Sequence, residues 1–341
     1  MSKRILIFNV NWLGDVLFST AVIRNLRRNF REGYLACVVP SRCYAVLKDN
    51  PYLDEIIIYD EKDRHRGLLA KLRFIGYLKS KRFDTVFLLH RSASRAFICW
   101  MAGIPERIGY YTPKRGFLLT KRIAPLPQDS LHRIDYYLNI IEKAGLRVED
   151  RFSDFFVSDN DREAAGRFLE TNGVEDNDFL VGINPGGNWI PKRWPKGHWA
   201  RLADMLIEKL GAKVIITGSP SDAALAGEIR LLMKGKPLAA CGEINLKQFA
   251  AMAMRMDLFI SADSGPLHIA NSAGCKNIIA IFGPTSLKVT SPYPLKNVNI
   301  MQKEVGCVIP CYDKDCRDNR CMQAVTPEDV FRQAAEIKNK R

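Results

Sequence analysis

The chain has 341 residues, of which 47% are hydrophobic and 26% charged, a balance typical of globular proteins and not of disordered or fibrous ones. This length suits two domains rather than one core. An excess of 51 Lys and Arg over 37 Asp and Glu gives a net charge of +14. We therefore expect an acidic partner, either a phosphorylated substrate, an anionic membrane surface or nucleic acid, although no long basic run suggests a nucleic-acid tail.

The sequence shows no targeting or membrane-spanning segment. The apolar run that follows the basic start is interrupted by Asn9, Asn11 and Asp15, and no run is long enough for a membrane span. We expect a cytoplasmic protein that at most rests on the inner membrane face, with reduced cysteines. Five cysteines lie in or beside apolar segments and are expected in or near the core: Cys37, Cys43, Cys99, Cys241 and Cys275.

The first half alternates predicted strands and helices. Apolar residues between Val16 and Phe30 recur at steps of three and four, the spacing of a helix. The predicted strands are Ile5–Val10, Tyr34–Val39, Glu55–Tyr59 and Thr85–Leu89, and the predicted helices are Gly14–Phe30, Ser41–Leu47, Leu68–Lys79 and Leu131–Ala144. Residues 107–129, rich in Gly, Pro, Lys and Arg, are predicted to form a loop.

The second half repeats this alternation after a domain boundary between Arg147 and Asp178. The predicted strands are Phe179–Ile183, Lys213–Thr217, Asp257–Ile260 and Asn277–Phe282, and the predicted helices are Asp159–Asn172, Gly197–Leu210, Ser221–Met233, Leu246–Met254, Ser264–Ala273 and Pro327–Lys338. The fold class is therefore α/β, with two doubly wound Rossmann-like domains. Such domains place ligand sites at their sheet ends, and we expect these sites to face a central cleft.

The stretch Asn184–Pro195 is the first of three candidate sites. It joins a buried strand to an amphipathic helix through a glycine turn, an arrangement that binds anions through backbone N–H groups and a helix N-terminus. The candidate phosphate-binding residues are Gly186, Gly187, Asn188, Lys192 and Arg193. The alternative is an ordinary loop with solvated basic residues, since no complete Walker or dinucleotide fingerprint is present.

The second candidate site is Asn9–Asp15, at the end of the first predicted strand. A carboxylate at this edge of the sheet can accept a proton from a hydroxyl nucleophile. An aspartate that complements the dipole at a helix N-terminus is an alternative of equal weight. The residues alone do not decide between the two roles of Asp15.

The third candidate site is Ser261–His268, which opens a helix after a predicted strand. Asp263 or Ser264 can cap that helix, and Gly265 permits close approach of a ligand. The alternative is a well-capped helix whose His268 faces the core. We favour a ligand site, because glycine, acid and imidazole gather at one strand end.

Four segments keep an order and spacing that together are specific, although each is short. They are Asn11-x-x-Gly14-Asp15, Pro185-Gly186 with Lys192-Arg193-Trp194-Pro195, Asp263-Ser264-Gly265-Pro266-x-His268, and Phe282-Gly283-Pro284-Thr285. In this combination the chain resembles glycosyltransferase family 9, the ADP-heptose:lipopolysaccharide heptosyltransferases, with heptosyltransferase II the closer match.

The resemblance implies a GT-B fold with a domain at 1–165 that binds a lipid-linked acceptor and a domain at 175–325 that binds the nucleotide sugar. A terminal helix at 326–341 would pack back on the first domain. The implied reaction is inverting transfer of heptose from ADP-L-glycero-D-manno-heptose to a hydroxyl of the lipopolysaccharide inner core. The acceptor would be lipid A–Kdo or a heptosylated core, reached by peripheral contact with the anionic inner membrane face.

The resemblance also assigns roles to single residues. Asp15 would be the general base, with Asn11 and Gly14 on the acceptor side. Lys192 would contact the donor diphosphate. Beside the donor sugar and phosphates would lie Asp263, Ser264, Gly265 and His268, and Ser219 belongs to a loop that meets the nucleoside. The Gly186-Gly187-Asn188 segment departs from relatives, which often carry small hydroxyl or acidic residues there.

No DxD-type acidic pair is evident, so we expect side-chain cations to replace Mg²⁺ and no cofactor to be required. The late cysteines, Cys307, Cys311, Cys316 and Cys321, follow a C-x3-C-x4-C-x4-C spacing that is neither a zinc ribbon nor a ferredoxin pattern. A metal site there is a minor alternative to a loop of reduced thiols.

Two other functions stay open. One is a related glycosyltransferase that uses another nucleotide sugar or acceptor. The other is a non-enzymatic basic nucleic-acid-binding protein with the late cysteines as a structural metal site. This second alternative lacks an aromatic-basic recognition motif and leaves Asp15 and Asp263 unexplained, so we expect no nucleic-acid partner.

Overall fold

Two six-stranded parallel sheets organise the chain, one in each of two units, Met1–Phe156 and Val157–Arg341. The computed structural model describes residues 2–127 and 129–341. The strands are β1 Arg4–Phe8, β2 Tyr34–Val39, β3 Glu55–Ile58, β4 Thr85–Leu88, β5 Glu106–Tyr110, β6 Lys121–Ile123, β7 Leu180–Asn184, β8 Lys213–Ile216, β9 Leu238–Ala239, β10 Leu258–Ala262, β11 Ile278–Ile281 and β12 Val298–Met301. The predicted α/β class with two doubly wound units is confirmed.

Helices connect the strands and cover the sheets. They are α1 Leu13–Phe18, α2 Thr20–Asn29, α3 Tyr44–Leu47, α4 Leu68–Ser80, α5 Ala93–Met101, α6 Arg133–Lys143, α7 Asp159–Thr171, α8 Lys196–Leu210, α9 Ala223–Leu232, α10 Leu246–Arg255, α11 Gly265–Ala273, α12 Leu287–Thr290, α13 Arg320–Gln323 and α14 Pro327–Asn339. Short 3₁₀ turns lie at Ser41–Cys43, Gly116–Leu118, Ile190–Lys192 and Pro220–Asp222.

Both sheets have the same strand order. The first runs β3-β2-β1-β4-β5-β6 and the second β12-β11-β10-β7-β8-β9, which is the same sequence of connections read from the other edge. In the first sheet Ile7 pairs with Cys37 on one side and Phe87 on the other. Because side chains alternate between the faces of a strand, the buried Leu6 and Phe8 fill one core while Ile5 and Ile7 fill the opposite one.

The second unit has its own core. Trp199 of α8, Ile229 of α9 and Val330 of α14 are buried against the strands β7, β8, β10 and β11. The terminal helix α14 packs beside α8 within this unit, where Thr326 and Asp329 form a capping box at its start. Its predicted packing on the first domain, like the predicted domain limits, stays a prediction.

Three local predictions were wrong or incomplete. The predicted helix Gly14–Phe30 is two helices, because the Ser19 hydroxyl donates to the carbonyl of Val16 at 2.7 Å and such back-bonding bends a helix. The predicted loop 107–129 contains most of β5 and all of β6, and α5 was not predicted. By contrast, the five cysteines expected in or near the core lie there: four are buried, and half-buried Cys241 packs against the core of the second unit.

Candidate functional site

Each unit carries candidate site residues at the same topological position. In a sheet of this order the connections leave the first and fourth strands in opposite directions, which opens a crevice beyond their carboxyl ends. In the first unit these strands are β1 and β4, and in the second they are β7 and β10. The predicted stretches after β1, β7 and β10 therefore lie where an α/β sheet binds ligands.

The first unit has a cavity of about 350 Å³ at this crevice. Residues that follow β1 and β4 line it together with the start of α6 and the segment before it. Its polar lining includes Asn11, Asp15, His90, Arg91, Arg133 and Tyr137. The lining also includes Asp129, which lies 3.8 Å from Arg133. The arginines suit a ligand that carries negative charge, and Asp15 can accept a hydroxyl proton.

Asp15 lies in the first turn of α1 and faces this cavity. The phenol of Tyr137, in α6, donates to Asp15 Oδ1 at 2.9 Å. Burial, the charge of Asp15 and this hydrogen bond raise the pKa of Tyr137 well above its ordinary value. Tyr137 therefore stays protonated and holds the carboxylate in one orientation.

Asn11 is fixed by two arginines. Buried Arg95, in α5, donates to the carbonyl of Asn9 at 2.5 Å and to the side-chain oxygen of Asn11. Arg42 donates to the backbone carbonyl of Asn11 at 2.9 Å and lies over the exposed ring of Trp12. These bonds order the turn that precedes Asp15.

Gly14 precedes Asp15 in the first turn of α1. A Cβ built there would meet nothing within 4 Å, so the fold itself does not require glycine at this position. The cavity is lined by its neighbour Asp15, and the acceptor-side role of Gly14 stays a prediction.

His90 lies at the end of β4, and its Nδ1 accepts from the backbone N–H of Ser92 at 3.0 Å. Burial and the charges of Arg95 and Arg115 lower the pKa of His90 to about 4. The imidazole is therefore neutral at pH 7. Arg115 is fully buried and donates to the carbonyl oxygens of His90 and Tyr110, which fixes the backbone here.

In the second unit an ion pair joins the loops after β7 and β10. Lys192 Nζ donates to Asp263 Oδ2 at 2.7 Å, and the side chain of Asp263 is only 4% exposed. Thr285 donates to the same oxygen at 2.7 Å, and His268 Nε2 lies 3.3 Å from Oδ1. The ammonium of Lys192 has three N–H groups, so its bond to Asp263 leaves others to meet an anion.

The charge of Asp263 is strongly stabilised. Burial alone would raise the pKa of this carboxyl, but the contact with His268 and the charge of Lys192 hold it well below its usual range. Asp263 therefore stays ionised and keeps Lys192 oriented. It lies two residues before the start of α11, whose N-terminal N–H groups add a positive dipole end.

The two glycines after β7 are needed for different reasons. A Cβ on Gly186 would lie 2.5 Å from the carboxyl group of Asp222, so glycine is needed there for packing within the protein. Gly187 has a φ of +157°, which other residues rarely adopt, and a Cβ there would meet nothing within 4 Å. Arg193 donates to the Gly187 carbonyl at 2.8 Å, while the side chain of Asn188 is exposed.

The Ser219 hydroxyl donates to Asp222 at 2.6 Å in a capping box of the 3₁₀ turn Pro220–Asp222. Ser264 precedes α11, and its hydroxyl lies 3.1 Å from that of Ser261. Gly265 is the first residue of α11 and is half-buried. The geometry thus brings Lys192, Asp263 and His268 into direct contact.

Similarity to known proteins decides the family. A profile described as glycosyltransferase family 9 (heptosyltransferase) matches residues 71–321. The chain belongs to glycosyltransferase family 9. This family 9 glycosyltransferase is 27% identical over 303 residues to lipopolysaccharide heptosyltransferase 2 of Escherichia coli K12, with 85% of each chain covered.

Solved structures of family 9 proteins superpose on the chain over nearly its whole length. A glycosyltransferase of family 9 from Veillonella parvula superposes with a TM-score of 0.89 at 26% identity, covering 100% of this chain and 98% of that one. Escherichia coli ADP-heptose lipopolysaccharide heptosyltransferase II superposes at 0.81 with 22% identity, covering 99% of each. The family resemblance, the GT-B class and the enzyme class predicted from the sequence are confirmed.

The sequence did not point to several residues of this family 9 glycosyltransferase that contact the site. Tyr137, His90 and Arg95 in the first unit and Thr285 in the second reach it from elements distant in sequence. Of these, only Thr285 belongs to a segment singled out in the sequence, Phe282-Gly283-Pro284-Thr285.

Among residues 2–127 and 129–341, no three His, Cys, Asp or Glu side chains are grouped to hold a metal ion. Cys307, Cys311 and Cys316 are exposed or half-buried thiols and Cys321 is buried. The expectation that no metal is required stays a prediction. In the same part of the chain, no helix combines the length and the apolar character needed to cross a bilayer.

Proposed function

We propose that this enzyme transfers heptose from ADP-L-glycero-D-manno-heptose to a hydroxyl of the lipopolysaccharide inner core, with inversion at the anomeric carbon. The similarity to proteins named lipopolysaccharide heptosyltransferase 2 supports the donor and acceptor classes. The contact of Lys192 with buried Asp263, at the crevice beside α11, is the observation that carries the donor role. A lysine held there suits a diphosphate.

In the proposed reaction the acceptor oxygen bonds to C1 of the heptose while the bond between C1 and the phosphate oxygen breaks. The electron pair of that bond leaves with ADP, and the acceptor proton passes to the carboxylate of Asp15. Lys192, Arg193 and the N-terminus of α11 stabilise the charge that develops on the diphosphate, without a metal or other cofactor. Tyr137 orients Asp15.

The first unit is proposed to bind the acceptor, a lipid A–Kdo or heptosylated core. Arg91 and Arg133 in its cavity suit the carboxylates and phosphates of such a molecule. Asn11 lines this cavity with Asp15, and Gly14 precedes Asp15 in the first turn of α1. The proposed location is the cytoplasm, with peripheral contact at the inner membrane face.

Transfer assays with ADP-heptose and each acceptor test the proposal through release of ADP. Asp15→Asn should lower turnover at least 100-fold, a typical effect of losing a general base, and leave the affinity for ADP within about twofold. Retained turnover in this variant would remove Asp15 as the base. Absence of ADP binding by the unmodified enzyme would overturn the donor assignment.

A further inference from the structure

One face of the first unit exposes large apolar side chains. The helices α4 and α5 and the turn Gly116–Leu118 cover the same side of the first sheet and bury Phe74, Ile98 and Leu118 against it. Their outward side is also apolar. We call this outward side the apolar face and define it by Leu68, Leu69, Leu72, Phe97, Trp100 and Phe117.

The exposure of these residues is large. Leu68 and Phe117 are each 74% exposed, and Trp100 is 48% exposed. Phe97 and Trp100 lie side by side, with ring centroids 5.6 Å apart. Large apolar side chains exposed to water are unfavourable, so several of them on one side of a sheet indicate a surface that binds a partner.

The charged residues on the helices of the apolar face are all basic. Helix α4 carries Lys71, Arg73 and Lys79 and no acidic residue, and the only charged residue of α5 is the buried Arg95. The segment just before α4 holds exposed Lys62, Arg64 and Arg66 and the acidic residues Asp60, Glu61 and Asp63, so the net positive charge comes from α4. Leucine and aromatic side chains that insert between lipid tails, rimmed by basic residues that meet headgroup phosphates, are features of interfacial membrane binding.

We propose that the apolar face docks the enzyme on the surface of an anionic lipid bilayer. Its position supports this occupant, because α5 begins two residues after Arg91, which lines the cavity of the first unit. Leu68 and Leu69 are the first residues of α4, which follows the carboxyl end of β3. In a parallel sheet this is the same end as that of β1 and β4. Docking there would bring the cavity close to a membrane-bound acceptor, a use that rests on the proposed function.

Vesicle binding tests the surface without any substrate. The full-length protein is sedimented with vesicles of phosphatidylcholine containing about one third phosphatidylglycerol, and with pure phosphatidylcholine vesicles. We expect binding to the anionic vesicles to be at least tenfold tighter. The triple variant Leu69→Ser, Trp100→Ser and Phe117→Ser should lose at least tenfold of that affinity, because insertion of apolar side chains is removed. Equal binding by the variant would overturn the proposal.

A matched control uses exposed leucines of the second unit. Leu231 and Leu232 are 88% and 55% exposed in or at the end of α9, and their double change to Ser should leave vesicle binding within twofold. An equal loss in this control would also overturn the proposal, since any exposed leucine would then serve.

Two further measurements separate the proposal from its rivals. Turnover with a delipidated, water-soluble acceptor should be unchanged in the triple variant, while turnover with acceptor embedded in vesicles should fall. Failure of all turnover would count against the proposed reaction and leave the vesicle result standing. Light scattering tests whether the apolar face instead binds a second copy of the chain. A dimer of the unmodified protein that becomes a monomer in the triple variant would overturn membrane docking in favour of dimerisation.

Discussion

The ion pair between Lys192 and Asp263 orients the lysine and contributes little to stability. A buried ion pair adds little net stability, because desolvation of both charges offsets their attraction. Here the carboxylate is satisfied by Lys192, His268 and Thr285, so the lysine is held in place before a ligand arrives. Preorganised charge of this kind is what a leaving diphosphate requires.

Lys192→Ala should therefore weaken ADP binding. A charge-assisted hydrogen bond is worth about 1.5–3 kcal/mol, which corresponds to roughly ten- to hundredfold in affinity. Calorimetric titration with ADP measures it. Lys196→Ala is the control, since Lys196 is an exposed lysine of α8 that pairs with Glu228 of α9. Equal losses in the two variants would show that general positive charge, and not the position of Lys192, binds ADP.

Tyr137→Phe tests the orientation of Asp15. The change removes one hydrogen bond to the carboxylate and keeps the ring, so we expect kcat to fall about tenfold while the KM for the donor stays constant. The free energy of unfolding should drop by about 1 kcal/mol. Steady-state kinetics at saturating acceptor measure the first effect and urea unfolding the second. An unchanged kcat would mean that Asp15 needs no support from α6.

The short helix α1 carries the proposed general base, Asp15, in its first turn. Gly14→Ala should stabilise this helix by about 0.5–1 kcal/mol, because alanine loses less backbone entropy and its Cβ meets nothing within 4 Å. If the acceptor passes close to Gly14, turnover should nevertheless fall several-fold through a higher acceptor KM. Thermal unfolding and acceptor titration in parallel check both parts. A more stable variant with unchanged acceptor KM would remove Gly14 from the acceptor site.

The strands and helices differ in how well the sequence predicts them. Strand β2 agrees to the residue with its prediction, because buried parallel strands are continuous apolar runs. Strand β6 escaped prediction because Lys121 and Arg122 are exposed at the sheet edge. Helix α5 was missed although its residues show a helical period, because exposed Phe97 and Trp100 make its outward side apolar as well.

In the candidate sites, too, some residues could be predicted from the sequence and others could not. Lys192 and Asp263 were both candidate donor residues, named from separate motifs, and the structure brings them into contact. The bond from Tyr137 to Asp15 depends on how α6 packs across α1, and no local pattern encodes it. Residues that orient a reactive group from another element are thus the part of a site that a single sequence predicts least.

At the scale of the whole molecule, one strand order is used twice and both candidate sites lie at its crevice. The net charge of +14 destabilises the compact state, since like charges repel, but it favours binding of the proposed anionic substrates and of the proposed anionic bilayer. Groups that are kept neutral beside these cations are consequently sensitive to pH. His90 is such a group, with Arg95 and Arg115 as its neighbours.

The pKa of His90 is lowered from 6.5 to about 4 in the folded protein, so the unfolded chain binds more protons between these values. Stability should be complete above about pH 6.5 and should fall as the pH drops towards 4. A shift of this size corresponds to at most about 3 kcal/mol, and partial exposure of the ring reduces the expected contribution to about 1–2 kcal/mol. Urea unfolding at pH 7 and pH 5 measures the loss.

The variant His90→Asn isolates this contribution from that of the other histidines. Asparagine does not titrate, and its side-chain oxygen can still accept from the N–H of Ser92. We therefore expect the variant to lose less stability between pH 7 and pH 5 than the unmodified protein, by about 1 kcal/mol. Parallel losses in the two proteins would place the pH sensitivity elsewhere, for example at His65 or His198, whose pKa values burial also lowers.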